Sequence, residues 1–172
     1  MAQGWLFRSE RLFQKHAEKV REHFRIAEQH QANVDRLLVS LRDRADVVVG
    51  VHLRQGDYAT FMDGKYFFTV TQYASMMQRL VEQLSPQRVA FLVCGNATLN
   101  PRDFAGLPVR FGSGQIIEDL YALAGVDLLV GPPSTFAGWA SFYGHVPLHM
   151  LESIDEPVDV SRVMPNRVER VA

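Results

Sequence analysis

Val47-Val48-Val49-Gly50-Val51-His52-Leu53-Arg54-Gln55-Gly56-Asp57-Tyr58 is the stretch on which the reading of this chain turns. Its branched apolar run fits a strand buried on both faces, as in a parallel sheet. The run ends in His52, Arg54 and Asp57, polar groups that a core does not accept without partners. In open α/β sheets, ligands bind in the crevice at the carboxyl ends of the strands. Arg54 at such an end offers a planar guanidinium fork suited to phosphate or carboxylate.

Upstream of this strand, residues 10–30 follow a helical pattern, with Leu12, Phe13, Ala17, Val20, Phe24 and Ala27 on one face. Asn33 is placed to cap a second helix carrying Val34, Leu37, Leu38 and Leu41. A polar connection, 42–46, leads into the strand 47–53. Downstream, Asp63-Gly64 between Phe61-Met62 and Tyr66-Phe67-Phe68 predicts a tight hairpin. Thr69 with Gln72 forms a capping box for a helix that buries Val70, Tyr73, Met77, Leu80, Val81 and Leu84 and stops before Pro86.

Further strands are expected at 88–94, 109–111, 127–130 and 147–151. Between them, Ile116, Ile117, Leu120, Tyr121 and Ala124 mark one helix, and Ser134 caps another running to about Tyr143. Strands alternating with helices predict a parallel α/β sandwich with right-handed crossovers. The tail, 155–172, is charged, holds Pro157 and Pro165, and reads as extended or partly disordered.

The 172 residues suffice for one domain with its own core. Eighteen basic against nineteen acidic residues argue against a nucleic-acid-binding or polybasic membrane surface. No apolar run approaches the ~20 residues that span a bilayer, and the first residues lack the pattern of a signal peptide. A single cysteine, Cys94, allows no internal disulfide. These features set the expectation of a cytoplasmic protein without a transmembrane segment.

A second stretch carries chemistry: Asp119-Leu120-Tyr121, then Asp127, then Gly131-Pro132-Pro133-Ser134-Thr135-Phe136-Ala137-Gly138-Trp139. After a buried strand, two prolines set a turn and a hydroxyl residue opens a helix. The first-turn amides and the positive end of the helix dipole make an anion seat. With the strands at 47–53 and 127–130 side by side, Arg54 and the start of the Ser134 helix face one crevice. A diphosphate matches that pair of devices.

These two stretches resemble motifs of the GDP-fucose-dependent fucosyltransferases of the α-1,2, α-1,6 and protein O-fucosyltransferase group. The resemblance covers about residues 47–150. It implies a single Rossmann-like domain equivalent to the nucleotide-sugar-binding half of a GT-B enzyme, preceded by an N-terminal helical extension. It also implies roles. Arg54 binds the β-phosphate and stabilises the departing GDP, His52 lies against guanine or ribose, and Asp119 accepts hydrogen bonds from the guanosine. Ser134, Thr135 and Phe136 cradle the diphosphate, largely through backbone amides. The implied reaction is inverting, uses GDP-fucose as donor without a metal or other cofactor, and has a glycan acceptor. Gln55 departs from the pattern, standing where the family carries a second arginine.

Only residues 1–46 precede the first strand, too few for an acceptor-binding domain. The expected organisation is a helical segment 1–46, a nucleotide-sugar-binding domain 47–154 and a tail 155–172. Such a chain reads as the donor half of a transferase, as a fragment or as a subunit with a partner chain. Two alternatives stand beside the enzyme: a non-catalytic nucleotide-sugar-binding module, and an interaction domain with a degenerate site.

Several residues keep two readings. Asp57 is placed either as general base or as the group orienting Arg54. Asn96, also at a strand's carboxyl end, is a candidate contact for the nucleotide. The Phe61–Phe68 hairpin either closes over a sugar or meets an acceptor, or else packs on the domain edge. Trp139 and Phe142 are either core or an acceptor platform. His16, His23 and His30 recur every seven residues on one predicted helix face, about 10.5 Å apart per step, too far to share a metal. Cys94 at the end of a buried strand reads as an inert small hydrophobe.

Overall fold

The computed structural model describes residues 9–164 of the 172. The strand Val47–Leu53 (β1) is buried at every position, because both of its faces are covered. Val47, Val49, Val51 and Leu53 enter one core and Val48 the other. Each fully buried valine contributes about 1.5–3 kcal/mol relative to exposure, which makes β1 the spine of the sheet. The remaining strands are β2 (Val89–Gly95), β3 (Val109–Phe111), β4 (Leu128–Gly131) and β5 (Leu148–Met150). Their order is β3-β2-β1-β4-β5, and all neighbours are parallel.

Six helices accompany the strands among the described residues: α1 (Glu10–His23), α2 (Glu28–Arg42), α3 (Val70–Leu84), α4 (Ile116–Leu123), α5 (Thr135–Gly144) and α6 (Val160–Val163). Tyr73, Met76, Met77, Leu80 and Leu84 of α3 cover one face of the sheet, completed by Ile154, Val158, Val160 and Met164. Val34 and Leu41 of α2, Ala122 and Leu123 of α4, and Ala137 and Ala140 of α5 cover the other. The connection from β1 to β2 thus lies on one face, and those from β3 to β4 and β4 to β5 on the opposite one. The path reverses between β1 and β4, the switch point at which such sheets open a crevice. The fold class is α/β with a Rossmann-like parallel sheet flanked by helices.

Local signals explain several boundaries. Thr69 and Gln72 form the reciprocal capping box at the start of α3, and that helix ends before Pro86. Ser134 caps α5 by accepting the Phe136 amide hydrogen at 3.1 Å.

Four expectations are corrected. The single helix over 10–30 is two, interrupted at Phe24 to Ala27. Phe24 turns out of the helix to meet the Trp139 ring at 5.2 Å, and its carbonyl accepts the Tyr121 hydroxyl. His16 and His23 therefore share no helix with His30, whose Nδ1 lies 3.0 Å from Glu118. Asn33 caps nothing; it sits inside α2 and donates its amide to Glu118 at 2.6 Å. Asp63-Gly64 makes a left-handed turn without flanking strands, with Met62, Asp63 and Gly64 all at positive φ. Tyr58 and Phe68 are buried instead, and no ladder holds the two arms. The tail is extended only in part: α6 forms, and Val158, Val160 and Met164 are buried. Residues 1–8 and 165–172, including Pro165, lie outside the described residues. No described helix is long and apolar enough to cross a membrane.

The approach of β4 to β1 depends on Gly131. A Cβ there would lie 2.8 Å from the His52 carbonyl oxygen and 2.9 Å from the His52 Cβ. Gly131→Ala is expected to lower stability by about 1–3 kcal/mol, the usual cost of overpacking against backbone. Chemical denaturation measures it, and an unchanged midpoint would show that the two strands yield.

Candidate functional site

Val49, Gly50 and Val51 of β1 face Leu128, Leu129 and Val130 of β4, so the carboxyl ends of both strands open at one edge of the sheet. Arg54 leaves β1 there, its guanidinium 5.4 Å from the centre of the Tyr58 ring. Its Nη2 lies 2.9 Å from each carboxylate oxygen of Asp57. The Asp57 side chain is 61% exposed, and exposed pairs of this kind contribute about 0–1 kcal/mol. The pair orients Arg54 without closing it to an incoming anion.

Across from Arg54, α5 begins. Its first-turn amides have no acceptor within the helix, and the Phe136 amide is taken by the Ser134 cap. Arg54, Ser134, Thr135 and Phe136 line one cleft of about 570 Å³, with Asp57, Tyr58, Phe61, Pro133 and Met150 completing its walls. The hydroxyl of Tyr58 donates to the Pro133 carbonyl and ties the loop after β1 to the turn after β4. Tyr58 also stacks on Phe61 with centroids 5.3 Å apart.

A smaller recess of about 190 Å³ adjoins this cleft. His52, Arg54, Cys94, Asn96, Ile116, Asp119 and Phe136 line it, together with Gly95 and Gly114. Arg54 and Phe136 belong to both spaces and stand between them. All eight site residues read from the sequence thus border two adjoining spaces.

The recess is electrostatically unusual. His52 is 4% exposed, stacks on Phe136 at 5.0 Å, and has no hydrogen-bond partner at Nδ1. Burial, assisted by the Arg54 charge, pushes its pKa down to about 4, so the ring is neutral. Burial raises Asp119 above the ordinary carboxylate range against the opposing pull of the Gly114 and Ser113 amides, and its Oδ1 finds no partner. Buried polar atoms without partners are uncommon and cluster where ligands bind. Burial also raises Cys94 and keeps it a thiol. Next to Asp119 on α4, Glu118 turns away from the recess toward α2. The His30 and Asn33 hydrogen bonds, with Ser113, hold its pKa down at about 2.

Asn96 is engaged with protein: its Oδ1 accepts the Gln55 amide hydrogen at 2.8 Å and its Nδ2 donates to the Gln55 carbonyl at 3.3 Å. The Gln55 side chain donates to the Phe68 carbonyl at 3.0 Å. Trp139 and Phe142 lie away from both spaces and stack with Phe24 and Phe13 of the N-terminal helical region. Among the described residues, no group of three or more His, Cys, Asp or Glu side chains is placed to hold a metal ion. Sequence reasoning gave no site role to Tyr58, Ile116 or Met150, whereas Phe61, at the start of the expected hairpin, does line the larger cleft. The strand-end rule that singled out Arg54 applies equally to Met150, the last residue of β5.

By sequence, no family model and no curated protein matches the chain. Solved structures do match in fold. POFUT1 in complex with GDP superposes with a TM-score of 0.59 and 13% identity, over 83% of this chain and 50% of its own. Arabidopsis thaliana FUT1 in complex with GDP gives 0.56 and 20%, over 82% and 38%. The fucosyltransferase NodZ from Bradyrhizobium gives 0.52 and 16%, over 88% and 64%. The chain thus spans less than two thirds of each of these proteins, and over more than four fifths of its own length it carries a fucosyltransferase-like fold.

Proposed function

We propose that this domain binds GDP-fucose and serves as the donor-binding half of a glycosyltransferase that moves fucose to a glycan hydroxyl. The observation that carries the reading is the convergence of Arg54 and the start of α5 on one cleft at the β1–β4 switch point. Two of the structures similar in fold are complexes with GDP. In this reading the guanosine occupies the recess between His52, Asp119 and Phe136. The diphosphate bridges Arg54 and the first turn of α5, and the sugar extends into the larger cleft toward Phe61 and Met150.

Transfer breaks the bond between the sugar C1 and the β-phosphate oxygen, and the electron pair leaves with GDP. The acceptor hydroxyl attacks C1 from the opposite face, which inverts the configuration, and gives up its proton to the Asp57 carboxylate at the mouth of the cleft. Donors already aimed at the oxygen that gains charge lower the barrier, because they need no reorganisation as the charge develops. Arg54 and the α5 amides supply that stabilisation without a metal. Asp57 orients Arg54 and, through its exposure, stands at the cleft that the acceptor enters.

Calorimetric titration with GDP, GDP-fucose, ADP and UDP tests the donor assignment. GDP and GDP-fucose are expected to bind at least about tenfold more tightly than the other two, a difference of about 1.4 kcal/mol. Absence of binding to GDP would overturn the proposal. A second reading, a nucleotide-sugar-binding module without catalysis, is favoured by Gln55, whose side chain is spent on Phe68 and adds no second cation to the cleft. Release of GDP from GDP-fucose in the presence of glycan acceptors separates the two.

A further inference from the structure

We infer that Asn96 is a positioning residue for Arg54, acting through the backbone of Gln55. The β1–β2 ladder ends with His52 opposite Cys94 and Leu53 opposite Gly95. One step further, the side-chain amide of Asn96 takes over from the backbone. It accepts the Gln55 amide hydrogen at 2.8 Å and donates to the Gln55 carbonyl at 3.3 Å, engaging both polar groups of one residue as a neighbouring strand would. The chain then turns sharply, with Gly56 at φ +60°. A Cβ on Gly56 would lie 3.0 Å from Asn96 Nδ2, so the turn and the clasp are fitted to each other. The Gln55 side chain anchors the same residue from the other side, on the Phe68 carbonyl at 3.0 Å.

Arg54 is therefore the last residue before one held by the Asn96 clasp, by its own side chain on Phe68 and by the Tyr58 amide, which donates to the Gln55 carbonyl at 3.2 Å. Without the clasp, the end of β1 frays at the residue that carries the guanidinium, and the fork loses its aim along with the Asp57 pair. A polar contact is worth little to an anion if the donor must first be ordered. Asn96 borders the recess, but the hydrogen bonds its amide makes are both to Gln55, so its effect on a ligand passes through Arg54.

Two measurements on Asn96→Ala and Asn96→Asp test this, the first without any ligand. Hydrogen exchange at the Gln55 amide is expected to be protected in the unmodified protein. It is expected to quicken about tenfold in Asn96→Ala, and less in Asn96→Asp, which keeps the acceptor. Unchanged exchange in Asn96→Ala overturns the clasp. The second measurement rests on the GDP reading above and compares GDP with guanosine. Asn96→Ala is expected to weaken GDP about five- to tenfold and to leave guanosine within twofold. Equal loss for both ligands would make Asn96 a direct nucleoside contact and overturn the positioning role. If the unmodified protein binds no GDP, the donor assignment fails, while the exchange result still decides the clasp.

Discussion

Arg54→Ala is expected to raise the Kd for GDP at least about a hundredfold while leaving the fold intact. Charge-assisted hydrogen bonds from a guanidinium to phosphate are worth about 1.5–3 kcal/mol each, and the fork makes two. The side chain is half-buried, stands between the recess and the larger cleft, and is held by an exposed carboxylate that adds little to stability. Its removal therefore costs the site far more than it costs the fold. Arg54→Lys retains the charge but loses the fork, and is expected to recover only part of the affinity. Calorimetry reads the affinity, and circular dichroism with thermal unfolding reads the fold. A change below threefold in Arg54→Ala, with the fold preserved, would remove Arg54 from the diphosphate site.

Acidification from pH 6.5 to 4.5 is expected to cost the protein about 2–3 kcal/mol through His52 alone. The folded ring titrates near pH 4 because it is buried, whereas the unfolded ring takes up its proton near 6.5. Between those values the unfolded state binds the additional proton, so stability falls with pH. Below about pH 4 both states are protonated and the loss levels off. His149 is shifted in the same direction by burial. Glu118, held low by His30 and Asn33, adds its own loss below its ordinary range, and Asp119, raised by burial, opposes it. A comparison with His52→Leu isolates the imidazole. The two denaturation midpoints are expected to diverge in favour of the variant between pH 6.5 and 4.5. Parallel profiles would mean that His52 is solvated in the folded state.

The sheet was legible because its strands are buried on both sides. A run such as 47–51, with β-branched residues on successive positions, packs poorly as a helix and needs cover on two faces as a strand. The capping box at Thr69 and the cap at Ser134 were legible because each is a local hydrogen-bonding device complete within four residues. The break between α1 and α2 was not, since nothing local dictates it: the turn at Phe24 is set by Tyr121, 97 residues away in the chain, and by the still more distant Trp139, both near only after folding. Asp63-Gly64 did mark a left-handed turn, but a hairpin also needs partner strands, and the flanking aromatic residues were drawn into other contacts.

The candidate site divides in the same way. Arg54 and Ser134 could be placed at strand ends from pattern alone, and their meeting followed from strand order. The unpartnered atoms of His52 and Asp119, the Gln55 clasp and the Tyr58 bridge could not, because each arises from packing between segments far apart in sequence.

Because Tyr58 is moored to Pro133, the loop that presents Arg54 and the turn that launches α5 behave as one bracket. A nucleotide arriving there meets a mould already cast by folding, with little chain freedom left to lose. Recognition of that kind resembles a key entering a lock: the free and occupied backbones are expected to coincide, and selectivity to reside in shape rather than in closure.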